Sequence, residues 1–184
     1  MKHPLIIGIA GKKHSGKDTF AKMVCWYLNY THSVIHFADA LKEECARMLH
    51  EDVKTIEANK EVFRPMLQWY GTEYRRKFKN TDNYWVARVA ETVSKATLLG
   101  TYVVLIPDVR FLNEVEWLRK EGGILVHLNR ATNSGDSHSS ETTLDGYQGF
   151  DYVMMNNGTL EDLEAKAKEF AERIVPSLLI GPQP

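Results

Sequence analysis

Residues 11–19, Gly-Lys-Lys-His-Ser-Gly-Lys-Asp-Thr, have the residue types and spacing of a loop that binds phosphate groups. They match the pattern G-x-x-x-x-G-K-[ST] up to Lys17, and Asp18 then stands where the pattern has a hydroxyl group. In such a loop the N–H groups point inward, the following helix start adds partial positive charge, and the lysine adds a full charge. The sequence therefore predicts phosphoryl transfer, with a Gly/Lys-rich turn at a helix start as the alternative. The predicted ATP contacts are Gly11, Lys12, His14, Ser15, Gly16, Lys17, Asp18 and Thr19.

The carboxylate at position 18 needs a cation beside it if a triphosphate is to bind there. A helix N-terminus stabilises a nearby negative charge by roughly 0.3–1 kcal/mol, which is too little to offset close repulsion between carboxylate and phosphate. We therefore expect Mg²⁺, held by Asp18 and by Asp108, an acid that follows a hydrophobic segment. Thr19 is a poorer metal ligand, because one step along a helix rotates the side chain by roughly 100°.

The loop requires a strand before it and a helix after it. Leu5 to Ala10 is an apolar run typical of a buried strand, and apolar residues recur at helical spacing from Asp18 onward. Further strands are predicted at 33–37, at 101–106 with Pro107 as its end, at 124–128 and at 151–155. Helices are predicted at 38–49, at 111–120 and from Thr159 to Pro176. This alternation predicts an α/β protein, with one three-layer domain of residues 1–184 around a five-stranded parallel sheet.

Two connections are longer than a simple crossover between strands needs. Residues 51–100 are a mostly helical insertion, rich in arginine and aromatic residues, which we expect to bind the phosphate acceptor. Residues 131–150 are polar, a composition typical of a lid inside a compact domain. We expect this loop and Arg130 to close over ATP and exclude water. Catalysis is assigned to Lys17, Asp18, Arg110 and Arg130. The scheme requires no dedicated general base, with Asp18 or Asp39 as the alternative candidates for one.

Arginine presents a planar fork that fits phosphate, so several arginines could hold a second phosphorylated ligand. For any single arginine, a solvated helix face with an i, i+4 partner is the alternative. The alternative role of Asp39 is to cap the N-terminus of a helix, and the alternative role of Asp108 is to form a surface ion pair with Arg110. His36 is expected to be packed or hydrogen-bonded and not a catalyst. The predicted acceptor contacts are Asp39, Lys42, Arg64, Gln68, Arg75, Arg76, Trp85 and Arg110.

Composition excludes some classes of partner. Lys and Arg number 23 and Asp and Glu 24, giving a net charge of −1, so we expect no nucleic-acid binding through an overall positive field. The N-terminal apolar run is broken by Gly8 and followed by lysines, which fits neither a signal peptide nor a membrane span. Cys25 and Cys45 lie in segments of helical pattern, and we expect reduced thiols in the cytoplasm.

Taken together and in order, six stretches resemble phage-type deoxynucleoside monophosphate kinases of the P-loop nucleoside-monophosphate-kinase superfamily. The resemblance implies ATP and Mg²⁺ as the phosphate donor, a deoxynucleoside monophosphate as acceptor and a cytoplasmic enzyme, in the host cytoplasm if a phage encodes it. The matching stretches are residues 11–19, 37–42, 64–75, 108–111, 138–141 and 151–160.

The chain is similar as well to animal phosphomevalonate kinases, which also have Asp after the loop lysine. A small-metabolite kinase of that type is one alternative function. A non-enzymatic ATP-binding module is another, although it would not need the arginine-rich insertion. The base accepted, the need for deoxyribose and the oligomeric state stay open, with a homodimer as one alternative.

Overall fold

A computed structural model describes residues 3–131 and 138–180 and shows a sheet of five parallel strands in the order β2-β3-β1-β4-β5. The predicted fold class is therefore confirmed. Because β1 is the central strand, the loop that follows it lies at the middle of the edge where all the strands end. The strands are β1 (Leu5–Ala10), β2 (His32–Val34), β3 (Val103–Val109), β4 (Ile124–Asn129) and β5 (Tyr152–Met155).

Helices cover both faces of this sheet. Alternate side chains of each strand point to opposite faces, so Ile6 and Ile7 belong to two separate buried clusters. The helices are α1 (Lys17–Tyr27), α2 (Phe37–Leu49), α3 (Val53–Ala58), α4 (Lys60–Gln68), α5 (Tyr84–Leu98), α6 (Leu112–Lys120), α7 (Ser139–Thr142), α8 (Leu160–Glu169) and α9 (Val175–Ile180), with π-helical segments at Trp69–Phe78 and Phe170–Ile174. Within the described part of the chain, no helix is long and apolar enough to cross a membrane.

The two long connections lie on the same face of the sheet. The insertion supplies α3, α4, the π-helical segment and α5, and its apolar residues pack with α2 and α6 in one cluster. Leu144, Tyr147 and Phe150 pack against that cluster too, so this part of the predicted lid is fixed to the core. Residues 132–137 of the lid lie outside the described residues.

Three predicted boundaries are wrong, each for a local reason. The second strand is short because both carboxylate oxygens of Asp108 accept N–H bonds from Phe37 and Ala38, at 2.9 Å each, so that α2 begins at Phe37. Pro107 lies within β3, where the pairing with β1 shifts register between Gly8 and Ala10 of β1. The hydrogen-bond ladder is interrupted there, so the missing N–H of proline is tolerated. The last helix continues past Pro176, because the preceding π-helical segment changes the hydrogen-bonding pattern that proline would otherwise break.

Candidate active site

The loop between β1 and α1 has a backbone shape that only glycine tolerates at position 16. Gly16 has φ 94°, and a Cβ atom there would lie 2.7 Å from the side-chain nitrogen of Asn156. That nitrogen donates to the Ser15 carbonyl at 2.8 Å, while the Ser15 N–H donates to the Lys12 carbonyl at 3.1 Å. Asn156 is thus a site residue that the sequence interpretation missed. Its position directly after β5, at the edge where ligands bind, was the available signal.

Lys17 lies at the start of α1 with only 6% of its surface exposed. Its Nζ donates to the Lys12 carbonyl at 2.8 Å, so the ammonium group lies inside the loop. Burial, and then the nearby charge of Arg110, lower the pKa of Lys17 to about 8. The first four N–H groups of a helix have no acceptor within it, so the start of α1 and Lys17 together form a local anion site.

Asp18 follows in the first turn of α1 with 65% of its side chain exposed. Its Oδ1 lies 3.4 Å from Nε2 of His36, the residue that precedes α2. The hydrogen bond to His36 lowers the pKa of Asp18 to about 2, so the carboxylate is ionised. The structure thus places a histidine beside the residue at which the loop departs from the common pattern.

A cavity opens beside the loop, between the insertion and the ends of the strands. Its walls come from α2, α4, the π-helical segment, α5, the end of β3 and residues 140–141, so the insertion and this short part of the predicted lid border one cleft. Of the predicted acceptor residues, those lining it are Lys42, Arg64, Gln68, Arg76, Trp85 and Arg110.

Glu141 lies where the basic groups of this cleft converge, and its side chain is 1% exposed. One of its oxygens accepts the Lys13 N–H at 2.9 Å, and the other forms an ion pair with Arg110 and lies 4.0 Å from Nη1 of Arg64. A carboxylate is therefore held by the loop backbone and by two arginines that were predicted to bind phosphate. Glu141 ends the stretch 138–141 that carries the family resemblance, but the sequence predicted no role for it, because its basic partners are far away in the chain.

The inner part of the cavity is aromatic and has one amide. Trp85 and Phe111 line it, and Nε1 of Trp85 donates to the Gly71 carbonyl at 3.0 Å. Gln68 lines it too, and its Nε2 atom is buried with no acceptor among the described residues. A buried amide without an acceptor is costly in free energy, so this group is suited to a polar ligand.

A second cavity lies on the other side of Arg110 and Glu141. It is bordered by Lys12, His127, Asn129 and residues 144–148, and the His127 ring stacks on Phe150 with the ring centroids 4.4 Å apart. Burial lowers the pKa of His127, so this ring is neutral at pH 7. Arg110 and Glu141 thus form the wall between the two cavities.

Four predicted site residues have positions or contacts that differ from those their predicted roles suggest. Arg75 lies outside the cleft, because its guanidinium group binds Glu44 and Tyr70 on the far side of the π-helical segment. Asp39 lies in the first turn of α2, where its side chain accepts the His36 N–H at 3.0 Å and so caps the helix start. Each oxygen of Asp108 accepts one N–H bond, and these bonds anchor the start of α2, so its metal role stays a prediction. Arg130 is exposed after β4 and lines neither cavity.

Arg76 borders the cleft but is mainly a structural residue. Its Nη2 lies 2.6 Å from Oε1 of Glu114, its Nη1 donates to the Asp82 carbonyl and to Asn113 at 3.0 Å each, and its guanidinium lies over the Phe111 ring. With its hydrogen bonds directed at protein groups, Arg76 holds the insertion against α6. It does not present a free fork to a ligand.

Comparison with known proteins identifies relatives over most of the chain. A family model described as deoxynucleotide monophosphate kinase matches residues 41–167. A putative deoxynucleotide monophosphate kinase of Acanthamoeba polyphaga mimivirus is 29% identical over 178 residues, covering 86% of this chain and 91% of the viral protein. A phosphomevalonate kinase of Drosophila melanogaster is 27% identical over 177 residues, covering 85% of this chain and 90% of the Drosophila protein. The match to the crystal structure of a gluconokinase from Sinorhizobium meliloti 1021 covers 100% of this chain and 100% of the gluconokinase chain, with 14% identity and a TM-score of 0.53. This similarity indicates a shared fold alone.

Proposed function

Because the chain belongs to the deoxynucleotide monophosphate kinase family, we propose that it transfers the terminal phosphoryl group of ATP to the phosphate of a deoxynucleoside monophosphate. The kinase class follows from the family, and the specific acceptor and the assistance of Mg²⁺ are the proposal. The observation that carries it is the cleft itself, in which the loop backbone, Arg64 and Arg110 converge on one carboxylate. An arrangement that holds a carboxylate in this way has the charge and donors for a phosphate.

The donor binds at the phosphate loop. The N–H groups at the start of α1 and the ammonium group of Lys17 face the phosphates and stabilise the negative charge that develops on the transferred group. Phosphoryl transfer depends on positioning and charge neutralisation more than on a covalent intermediate, so these fixed donors are sufficient for the donor side.

Magnesium fits this site only as an ion that the protein and the substrate phosphates hold together. Among the described residues no group of three or more His, Cys, Asp or Glu side chains could hold a metal. Mg²⁺ usually keeps several waters and takes one or two carboxylates together with substrate phosphates, and the exposed carboxylate of Asp18 meets that requirement. When bound, the ion neutralises charge on the outer phosphates.

The acceptor occupies the cleft between the insertion and β3. Arg64 and Arg110 bind its phosphate in place of the Glu141 carboxylate, so that this phosphate lies beside the loop and the donor. The base lies in the aromatic inner part, against Phe111 or Trp85, with the Gln68 amide at its polar edge. An amide can both donate and accept, a combination that suits the hydrogen-bonding edge of a base.

A second candidate acceptor is a small phosphorylated metabolite of the type named by the Drosophila relative. The two candidates share the donor site and the reaction, and they differ in what fills the inner cleft. A nucleobase uses the aromatic wall and the Gln68 amide, whereas a short aliphatic phosphate leaves both unused.

The test is a coupled assay of ADP formation with ATP, Mg²⁺ and each common deoxynucleoside, ribonucleoside and small-metabolite monophosphate. We expect turnover with at least one deoxynucleoside monophosphate and a higher kcat/KM than with its ribose counterpart. Transfer to phosphomevalonate alone would support the second candidate. ATP binding without transfer to any monophosphate would contradict both.

A further inference from the structure

Asn156 joins the end of β5 to the phosphate loop. The residue follows β5 directly and is 3% exposed. Its side-chain nitrogen donates to the Ser15 carbonyl at 2.8 Å, and its backbone N–H donates at 2.7 Å to the carbonyl of Asn129, the last residue of β4. The sheet therefore holds the backbone of Asn156, and the amide side chain of Asn156 holds the loop.

This contact fixes the orientation of one peptide group of the loop. A trans peptide is planar, and its C=O and N–H point in opposite directions. Because the Ser15 carbonyl is directed at Asn156, the N–H of Gly16 is directed away from Asn156. That N–H has no acceptor in the described part of the chain. Gly16 directly precedes α1, so its N–H extends the row of free N–H groups at the start of this helix.

The loop by itself leaves this orientation free to change. Gly16 has φ 94°, and glycine reaches positive and negative φ about equally well, so the peptide before it can rotate unless a partner holds it. The Ser15 N–H and the Lys17 ammonium group both donate to the Lys12 carbonyl, and these bonds do not restrain the Ser15 carbonyl. Asn156 supplies the hydrogen bond that does.

We propose that Asn156 is a positioning residue of the donor site, which acts through the Ser15 carbonyl to direct the Gly16 N–H toward the phosphates of ATP. The inference rests on the proposed function only in taking the loop as the place where the donor phosphates bind. Asn156 does not touch the ligand. Its effect on affinity comes from raising the fraction of molecules whose loop has the binding orientation before the ligand arrives.

The experiment is a calorimetric titration of the purified full chain with inorganic tripolyphosphate, without metal. The proteins are wild type, Asn156→Ala, which removes the donor, and Asn156→Asp, which replaces the donor by an acceptor. Asn157→Asp is the matched control, because it adds the same charge at the next residue and keeps an oxygen for the Ala131 N–H, which Asn157 accepts at 3.0 Å. Thermal melting of each variant checks that the fold is retained.

We expect Asn156→Ala to bind tripolyphosphate roughly tenfold more weakly, because the freed peptide has the binding orientation in only about a tenth of the molecules. Asn156→Asp should lose more, since two oxygens then face each other and favour rotation of the peptide. Asn157→Asp should stay within about threefold of wild type, because salt screens an exposed charge.

Steady-state kinetics separate this role from a purely structural one. Asn156→Ala should raise KM for ATP and leave KM for the phosphate acceptor within about twofold of wild type. A contact that only stabilised the fold would lower the melting temperature without dividing the two KM values in this way.

An NMR titration of the wild-type chain tests the same contact without any variant. Tripolyphosphate should shift the amide proton resonance of Gly16 downfield, because the N–H gains a charged acceptor. A Gly16 resonance that does not shift, or a folded Asn156→Ala that binds tripolyphosphate within about twofold of wild type, would overturn the inference.

These binding experiments involve no acceptor, so their outcome is separate from that of the assay of monophosphates. Weaker tripolyphosphate binding by Asn156→Ala, in a protein that phosphorylates no monophosphate, would refute the proposed function alone. Transfer to a deoxynucleoside monophosphate with unchanged tripolyphosphate binding by Asn156→Ala would refute the role of Asn156 alone.

Discussion

Replacing Arg76 by alanine is expected to destabilise the fold and leave substrate binding by folded molecules nearly unchanged. Arg76 and Glu114 form an ion pair in which the side chains are 7% and 1% exposed. Without the arginine, Glu114 keeps the N–H groups of Arg110 and Phe111 as donors, at 2.7 and 3.1 Å, but its charge has lost its cation. Removing one partner of a buried pair costs about 3–5 kcal/mol. For a chain of this size that lowers Tm by about 6–20 °C.

The loss should depend on pH in a stated direction. Burial raises the pKa of Glu114 to about 7, and Arg76 is the strongest influence that opposes the rise, so the pKa should rise further in Arg76→Ala. An acid whose pKa is higher in the folded than in the unfolded chain destabilises the fold as pH rises above the unfolded value of about 4.3. Up to about pH 7 Glu114 is mainly protonated in both folded proteins, so the deficit of the variant should change little between pH 4.5 and 7. It should grow as the pH rises above about 7, where Glu114 ionises beside Arg76 in wild type and stays protonated in the variant.

The measurement is thermal and urea unfolding of wild type, Arg76→Ala and Arg75→Ala between pH 4.5 and 8. Arg75 is the matched control, since it is the neighbouring arginine of the same π-helical segment and is also ion-paired. Its partner Glu44 keeps hydroxyl donors from Tyr70 and Tyr84, so a smaller loss is expected. A melting temperature of Arg76→Ala within about 2 °C of wild type, or a deficit that does not change with pH, would refute the reasoning.

Three further predictions concern the cleft. Lys17→Ala should reduce turnover, measured by steady-state kinetics, by about 10³-fold or more. The control is Lys22→Ala, on the exposed face of α1, which should keep its turnover, and near wild-type turnover of Lys17→Ala would rule out a phosphate-binding role for the loop. Arg64→Ala and Arg110→Ala should raise KM for the monophosphate or lower kcat with little change in ATP affinity, and an equal loss of ATP affinity in both would contradict separate donor and acceptor sites. Glu141→Gln removes the negative charge that lies against the loop N–H of Lys13 and against Arg110. Calorimetry should therefore show that the variant binds inorganic tripolyphosphate roughly tenfold more tightly than wild type. Unchanged affinity would show that Glu141 does not compete with phosphate.

The sequence alone determined the elements whose signals are local. A glycine-rich loop between an apolar strand and an amphipathic helix is specified by neighbouring residues, and Leu5–Ala10 and the start of α1 were predicted closely. The apolar run of β3 and the excess length of the insertion likewise predicted a buried strand and a wall of the cleft. Such features depend on backbone geometry and periodicity, which a single segment carries within itself.

The tertiary structure decided which charged side chains face one another. Arg75 and Arg76 are adjacent in sequence, yet one binds Glu44 outside the cleft and the other binds Glu114 beneath it. Asp108 anchors α2 because β2 and β3 are neighbours, and His36 meets Asp18 because two helices begin at the same edge of the sheet. Charge pairing acts over a few ångströms in space between residues far apart in the chain, so only the packing of strands and helices reveals the partner.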